Sequence, residues 1–257
     1  MQVTVLGCGP SAGVPVLGCT CAVCTSDQPR NRRLRSSIVV ADGETQILVD
    51  TAPDLRQQLL ANKINRLDAV IYTHGHADHL HGIDDLRSIN HLTNKALPAY
   101  GDEATLAELH RRFAYVFDNA GPRHGYWYQP KLDARPIRGP FQVGNLDIRP
   151  FPQSHGAMRD PTLGFRFGDF AYSTDVKELP EEGFEILEGV RVWLVDCLSE
   201  RPNPAHSDLK QTLDWIARVK PRRAILTHMS HSLDHDALRA KLPEGVEPAY
   251  DGMVIDV

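Results

Sequence analysis

Residues 74 to 79 read His74-Gly75-His76-Ala77-Asp78-His79, three imidazoles and a carboxylate within reach of one turn. They directly follow the apolar run Asp68-Ala-Val-Ile-Tyr-Thr73, which has the length and composition of a buried strand. A strand that ends in such a cluster constrains the fold strongly, because α/β proteins build their sites where strands end. His74 and His76, two apart, can face one ion, whereas Asp78 and His79 can face a second beside it. Nitrogen and oxygen donors of this kind suit zinc, manganese or iron, and two ions roughly 3.5–4 Å apart turn a shared water into a nucleophile. A single His-x-His is compatible with an ordinary polar loop. Four potential ligands in six positions point instead to a hydrolytic metal site.

The run resembles the HxHxDH motif of the metallo-β-lactamase superfamily. That resemblance implies three further ligands downstream, a histidine, an aspartate and a histidine in that order, each at a strand end. His155 follows the strand-like Leu146-Asp-Ile-Arg-Pro-Phe151, Asp175 follows Phe170-Ala-Tyr-Ser-Thr174, and His228 follows Ala224-Ile-Leu-Thr227. By resemblance, His74, His76 and His155 hold one metal, Asp78, His79 and His228 hold the other, and Asp175 bridges them. Asp78 also counts among the catalytic residues on this reading. The fold implied is α/β, an αββα sandwich of two mixed sheets flanked by helices.

Cys19, Cys21 and Cys24 place three thiols in six residues, enough to wrap most of a tetrahedral zinc. The chain is here similar to the subgroup that includes the phosphoribosyl 1,2-cyclic phosphate phosphodiesterase. In that subgroup a histidine three residues after the last active-site histidine completes the zinc, and by resemblance this is His231. A disulfide framework is disfavoured: the five cysteines are an odd number, and Cys8 and Cys197 lie in or beside apolar strands. The cofactors expected are thus two divalent ions, Mn2+ or Zn2+, and one structural Zn2+.

With 257 residues, 42% of them apolar, the chain can bury a substantial core, and a single domain over 1–257 is expected. The net charge of −5 gives nucleic-acid binding no support. Neither a signal peptide nor a run approaching the roughly 18 apolar residues of a membrane span is visible, so a soluble, cytoplasmic protein without membrane partners is expected. Strand patterns occur at 2–7, 36–41, 45–50, 68–73, 145–151, 163–168, 170–174, 191–197, 222–227 and 246–256. Helical patterns occur over Asp54–Ala61, Asp102–Arg112, His206–Val219 and Asp234–Lys241.

His206-Ser-Asp-Leu209 matches a subgroup pattern whose histidine assists the leaving group, so the resemblance makes His206 catalytic. Placed at a helix start, its charged form would be opposed by the helix dipole. His81, His91, His110, His124 and His235 match no ligand position and read as structural or surface residues. Six aromatics fall in Phe113-Ala-Tyr115-Val-Phe117 and Tyr126-Trp127-Tyr128, a segment suited to core packing, to a lid or to a homodimer surface. The stretch from Gly156 to Thr162 looks longer than the subgroup's connection. Together these features predict a metal-dependent hydrolase that cleaves a phosphodiester in a small or cyclic phosphate ester. A transfer-RNA 3′-processing endonuclease is the nearest alternative, but the basic arm that grips RNA is not evident. A non-catalytic carrier of cofactor biosynthesis is the alternative from another class, disfavoured because every motif position is retained.

Overall fold

Alternation with a period of two sorts the first strands between two cores. Val3, Val5, Ile38, Val40, Ile47, Val49, Ala69 and Ile71 belong to one buried cluster. Their neighbours Leu6, Val39, Leu48, Val70 and Tyr72 belong to the other. Both faces of these strands are therefore apolar, which requires a layer on each side. The computed structural model describes residues 1–118, 129–156 and 162–257. Its first sheet contains β1 (Gln2–Gly7), β2 (Ser37–Asp42), β3 (Thr45–Val49), β4 (Ala69–Ile71), β5 (Leu97–Gly101) and β6 (Leu132–Pro136). The second contains β7 (Phe141–Val143), β8 (Leu146–Gln153), β9 (Thr162–Phe167), β10 (Phe170–Ser173), β11 (Val192–Asp196), β12 (Arg223–Thr227) and β13 (Val246–Pro248), while β14 (Val254–Asp256) returns to the first.

Strand order is β14-β1-β2-β3-β4-β5-β6 in one sheet and β13-β12-β11-β10-β9-β8-β7 in the other. Each sheet starts antiparallel and continues parallel, from β3 to β6 and from β10 to β13. The carboxyl ends of the parallel strands lie at one end of the molecule, and there Leu163 N donates to Thr73 O at 3.0 Å, tying the sheets together. The outer face of the first sheet is covered by α1 (Leu55–Ala61), α2 (Ala77–Leu80), α3 (Arg87–Thr93) and α4 (Glu103–Arg112), through Leu55, Leu59, Leu80, Ile89, Leu106 and Leu109. Leu187, Ile216 and Leu238 bring α5 (Glu181–Leu187), α6 (Leu209–Val219) and α7 (His235–Lys241) against the second. This is the expected αββα sandwich.

Three expectations change. The strand pattern at 246–256 is two strands in two different sheets, broken where Gly252 takes φ 83° and the chain crosses over. The helix expected from His206 starts at Leu209, because Asp208 accepts from Gln211 N at 3.0 Å and caps it. His206 therefore precedes the helix and does not share its first turn. The short β5, β6, β7, α2, α3 and α5 had no counterpart in the sequence reading. Phe113, Tyr115 and Phe117 pack partly buried against the outer core, as the core reading expects. Tyr126, Trp127, Tyr128, His124 and residues 157–161 lie outside the described residues. Among the described residues no helix is long and apolar enough to cross a membrane.

Candidate metal centre

Both sheets contribute to one cluster. The loop after β4 and the short α2 carry His74, His76, Asp78 and His79, while His155, Asp175 and His228 follow β8, β10 and β12. Ligand-type atoms of His74, His76, His155 and Asp175 all lie within 4.8 Å of one another, and so do those of Asp78, His79 and His228. Asp175 stands between the groups. Its Oδ1 lies 3.7 Å from His155 Nε2 and 3.4 Å from His228 Nε2, and its Oδ2 lies 3.2 Å from His79 Nε2. The Nε2 atoms of His74, His79 and His228 are buried without a hydrogen-bond partner. Buried polar atoms are rarely left so, and three of them converging on two carboxylates fit a pair of divalent cations. Asp175 and His228 take left-handed backbone conformations, with φ 52° and 57°.

Behind these side chains stands a layer that orients them. Asp50, itself at φ 64°, receives His79 Nδ1 at 2.7 Å and both the amide and the hydroxyl of Thr73 at 2.8 Å. Thr73 Oγ1 in turn meets His74 Nδ1 at 2.9 Å, and Ala205 O meets His155 Nδ1 at 2.7 Å. Asp196 accepts from Val176 N and from His206 Nδ1, both at 3.0 Å, while its Oδ1 lies 3.7 Å from His228 Nδ1. With Nδ1 engaged in His74, His79 and His155, those rings are left to use Nε2 toward the cluster, whereas His228 Nδ1, like its Nε2, is buried without a hydrogen-bond partner. The sequence reading missed Asp50, Thr73 and Asp196. A signal was present, since Asp50 and Asp196 each terminate an apolar strand run, as the candidate ligands do.

Burial, and then the neighbouring imidazoles, hold His74 and His76 below the ordinary histidine range; burial also lowers His228. For Asp175 burial opposes ionisation, but His228 and His79 overcome it and hold the carboxyl well below its usual range. Asp78 is lowered against the same opposition, chiefly by His79. Neutral imidazoles and ionised carboxylates are the states that bind metal. His79 differs: burial works against its charge, yet Asp175, Asp50 and Asp78 push it well above the ordinary value. His206 stacks on His228 with ring centroids 4.6 Å apart and shares a group within 4.8 Å with Asp175 and His228. Burial opposes its charge too, but the bond to Asp196 raises its pKa. The dipole argument from sequence thus gives the wrong direction, because a buried carboxylate and not the helix faces the ring.

Cys19, Cys21 and Cys24 gather with their sulfurs within 4.8 Å of one another. His231 meets them through its backbone, its carbonyl lying 3.8 Å from Cys21 Sγ, and its ring is not among the grouped atoms. All five cysteines are free thiols.

Comparison with known proteins places this geometry. The model of the beta-lactamase superfamily domain matches residues 45–229. A solved structure of a new diphosphatase from the PhnP family is 35% identical, with a TM-score of 0.91, over 99% of this chain and 96% of that one. The chain belongs to the metallo-β-lactamase superfamily. Within that superfamily it is a PhnP-like member; the fold implies divalent metal ions, and its cluster of His and Asp side chains could hold them. Zn(2+)-bound PqqB from Methylobacterium extorquens shares the fold over the full length of both chains, with 20% identity and a TM-score of 0.81. A protein named octanoyltransferase from Porphyromonas gingivalis is 35% identical over 256 residues, 98% of this chain. This chain spans about half of that protein, 51% of its length.

Proposed function

We propose that this metallo-β-lactamase-fold hydrolase is a dinuclear phosphodiesterase acting on small or cyclic phosphate esters, phosphoribosyl 1,2-cyclic phosphate being the type of substrate. The observation that carries the reading is the set of converging, partnerless imidazole nitrogens with Asp175 between them. On this reading His74, His76 and His155 hold one ion, Asp78, His79 and His228 the other, and Asp175 faces both; Mn2+ and Zn2+ suit these donors. When bound, such ions supply Lewis acidity and a water of lowered pKa. The chain's own groups do the rest. Asp175 and Asp78 stay ionised, the state in which a carboxylate holds a cation. His206, held by Asp196 at 3.0 Å through Nδ1, keeps Nε2 available to protonate the departing oxygen. Cys19, Cys21 and Cys24, with His231 as the fourth ligand, are read as residues that would hold a structural zinc and so stiffen the loop after His228.

The two cysteines beside the strands do not offer a nucleophile for acyl transfer. Among the described residues the thiols beside the strands, Cys8 and Cys197, are buried, and burial pushes both well above the ordinary thiol range. A nucleophilic thiol needs the opposite shift. The test is a panel assayed with protein loaded with Mn2+ or Zn2+. A five-membered cyclic phosphate and an aryl phosphodiester should be turned over faster than a phosphomonoester, a β-lactam or a thioester. Faster thioester turnover, or at most one ion per active chain, would refute the reading.

A further inference from the structure

The loop between β11 and α6 carries His206 into the space between the two sets of candidate ligands. Its ring stands edge-on to His155, 4.5 Å between centroids, and stacks on His228 at 4.6 Å. The two neighbours belong to different proposed ions. Every residue from Ala205 to Ser207 is tied to the site. Ala205 O accepts from His155 Nδ1 at 2.7 Å, and His206 Nδ1 donates to Asp196 Oδ2 at 3.0 Å. Ser207 N donates at 2.7 Å to the carbonyl of Val176, the residue after Asp175. Gly156, next to His155, closes on the same stretch, where a Cβ would meet Ala205 Cα at 3.0 Å.

One side chain sets the path of this stretch. Asn203 Oδ1 accepts from Ala205 N at 2.8 Å and from His206 N at 3.1 Å. Asn203 lies between Pro202 and Pro204, whose nitrogens cannot donate, so the next amides along the chain that its carboxamide can hold are those two. Ala205 and His206 are half-buried, and water could replace Oδ1 on their amides at little cost in stability. Water would not hold the two peptides in one place. We propose that Asn203 is a positioning residue that fixes two groups with one atom: the Ala205 carbonyl that orients His155, and the His206 imidazole that serves the departing oxygen. This rests on the phosphodiesterase reading and deepens it, because a ligand of one ion and the proton donor are then set by the same turn.

The test is Asn203→Ala in the Zn2+-loaded protein, read in three ways. Nuclear magnetic resonance with labelled histidine follows the Nδ1 protons of His155 and His206, the latter assigned through His206→Ala; both signals should broaden as the protons exchange faster. Chelator competition should show one of the two ions held about tenfold more weakly, the loss expected when a ligand's partner is disturbed. On an alkyl phosphodiester kcat should fall by about 10–100-fold with KM little changed, and on an aryl phosphodiester, which needs no proton, by about threefold or less. Asn203→Asp keeps an acceptor for both amides and should retain the wild-type signals and most of the activity. Should Asn203→Ala not fold, Asn203→Ser, a shorter acceptor, replaces it and should show the same changes in smaller measure. Unchanged ring signals and ion affinity, equal losses on both diesters, or an Asn203→Asp as impaired as Asn203→Ala overturns the assignment. If the wild type hydrolyses neither diester while the ring signals and ion affinity change as stated, the positioning role stands and the phosphodiesterase reading falls.

Discussion

Single residues in this site act through pairs. Asp196 touches neither the proposed ions nor the phosphoryl group, yet it holds His206 Nδ1 at 3.0 Å and lies 3.7 Å from His228 Nδ1. Being buried, it fixes the orientation of the His206 ring, while His228 feels its charge without a hydrogen bond. Replacing it with Asn keeps the size but offers an amide where a carboxylate faced the imidazole, so His206 loses the partner that sets its tautomer. Asp196→Asn should lower kcat by about 10–100-fold, the loss typical of removing a partner from behind a ligand. Elemental analysis alongside kinetics separates the routes: a kcat loss with two ions retained assigns the effect to His206, whereas a lost ion assigns it to His228. Unchanged kcat would show that Asp196 only fills space.

Among the elements, the amino-terminal arm between β1 and β2 is the least able to support itself. Its own buried apolar cluster is Val14, Val23 and Cys24, too little to order so long a segment. Two other devices hold it. Arg33, almost fully buried, donates to the carbonyls of Ser230 at 2.8 Å and Leu233 at 2.6 Å, in the loop that follows His228. The cysteine cluster is the second. Cys21→Ser should therefore reduce bound zinc by one per chain and lower the melting temperature by about 5 °C or more, since metal binding at such a site is coupled to folding. Unchanged zinc content and melting temperature would remove the structural-zinc assignment.

Legibility from sequence varied with the element. The strands that carry ligands were found because long apolar runs stop at a polar, metal-type residue. Short elements gave no period to detect: α2 is four residues, Ala77–Leu80, and β5 contains Pro98. Crossing of the chain between sheets within 246–256 was invisible for another reason, because apolar alternation reports a buried face but not which sheet owns it. For the site, the ligand-type residues were readable from their order; Asp50 and Asp196 carried only the weaker signal of ending an apolar run, and Thr73 acquires meaning only through distances.

Across the whole molecule, Asp251 links three chain segments. It accepts from Cys8 N at 3.0 Å at the end of β1 and from Leu34 N at 2.7 Å ahead of β2, and it sits between β13 and β14. Burial pushes its pKa up to about 7, against the lowering effect of those two amides. A carboxyl whose folded pKa lies above its ordinary value of about 4 gives stability that is full below that value and is lost as pH rises through the folded pKa. Asp251 should thus favour folding more at pH 5 than at pH 8. Urea unfolding of the wild type and of Asp251→Asn at both values checks this: the wild type's advantage should shrink at pH 8, and an advantage that grows with pH would contradict it.

Six described residues other than glycine adopt left-handed backbone, and three of them, Asp50, Asp175 and His228, belong to the candidate metal centre. Each such conformation costs on the order of 1–3 kcal/mol in a residue with a side chain. Glycine would occupy the same positions without strain. Glycine at any of the three would thus relieve backbone strain and remove the one side chain that the centre needs there, so stability and ligation pull in opposite directions at the same positions.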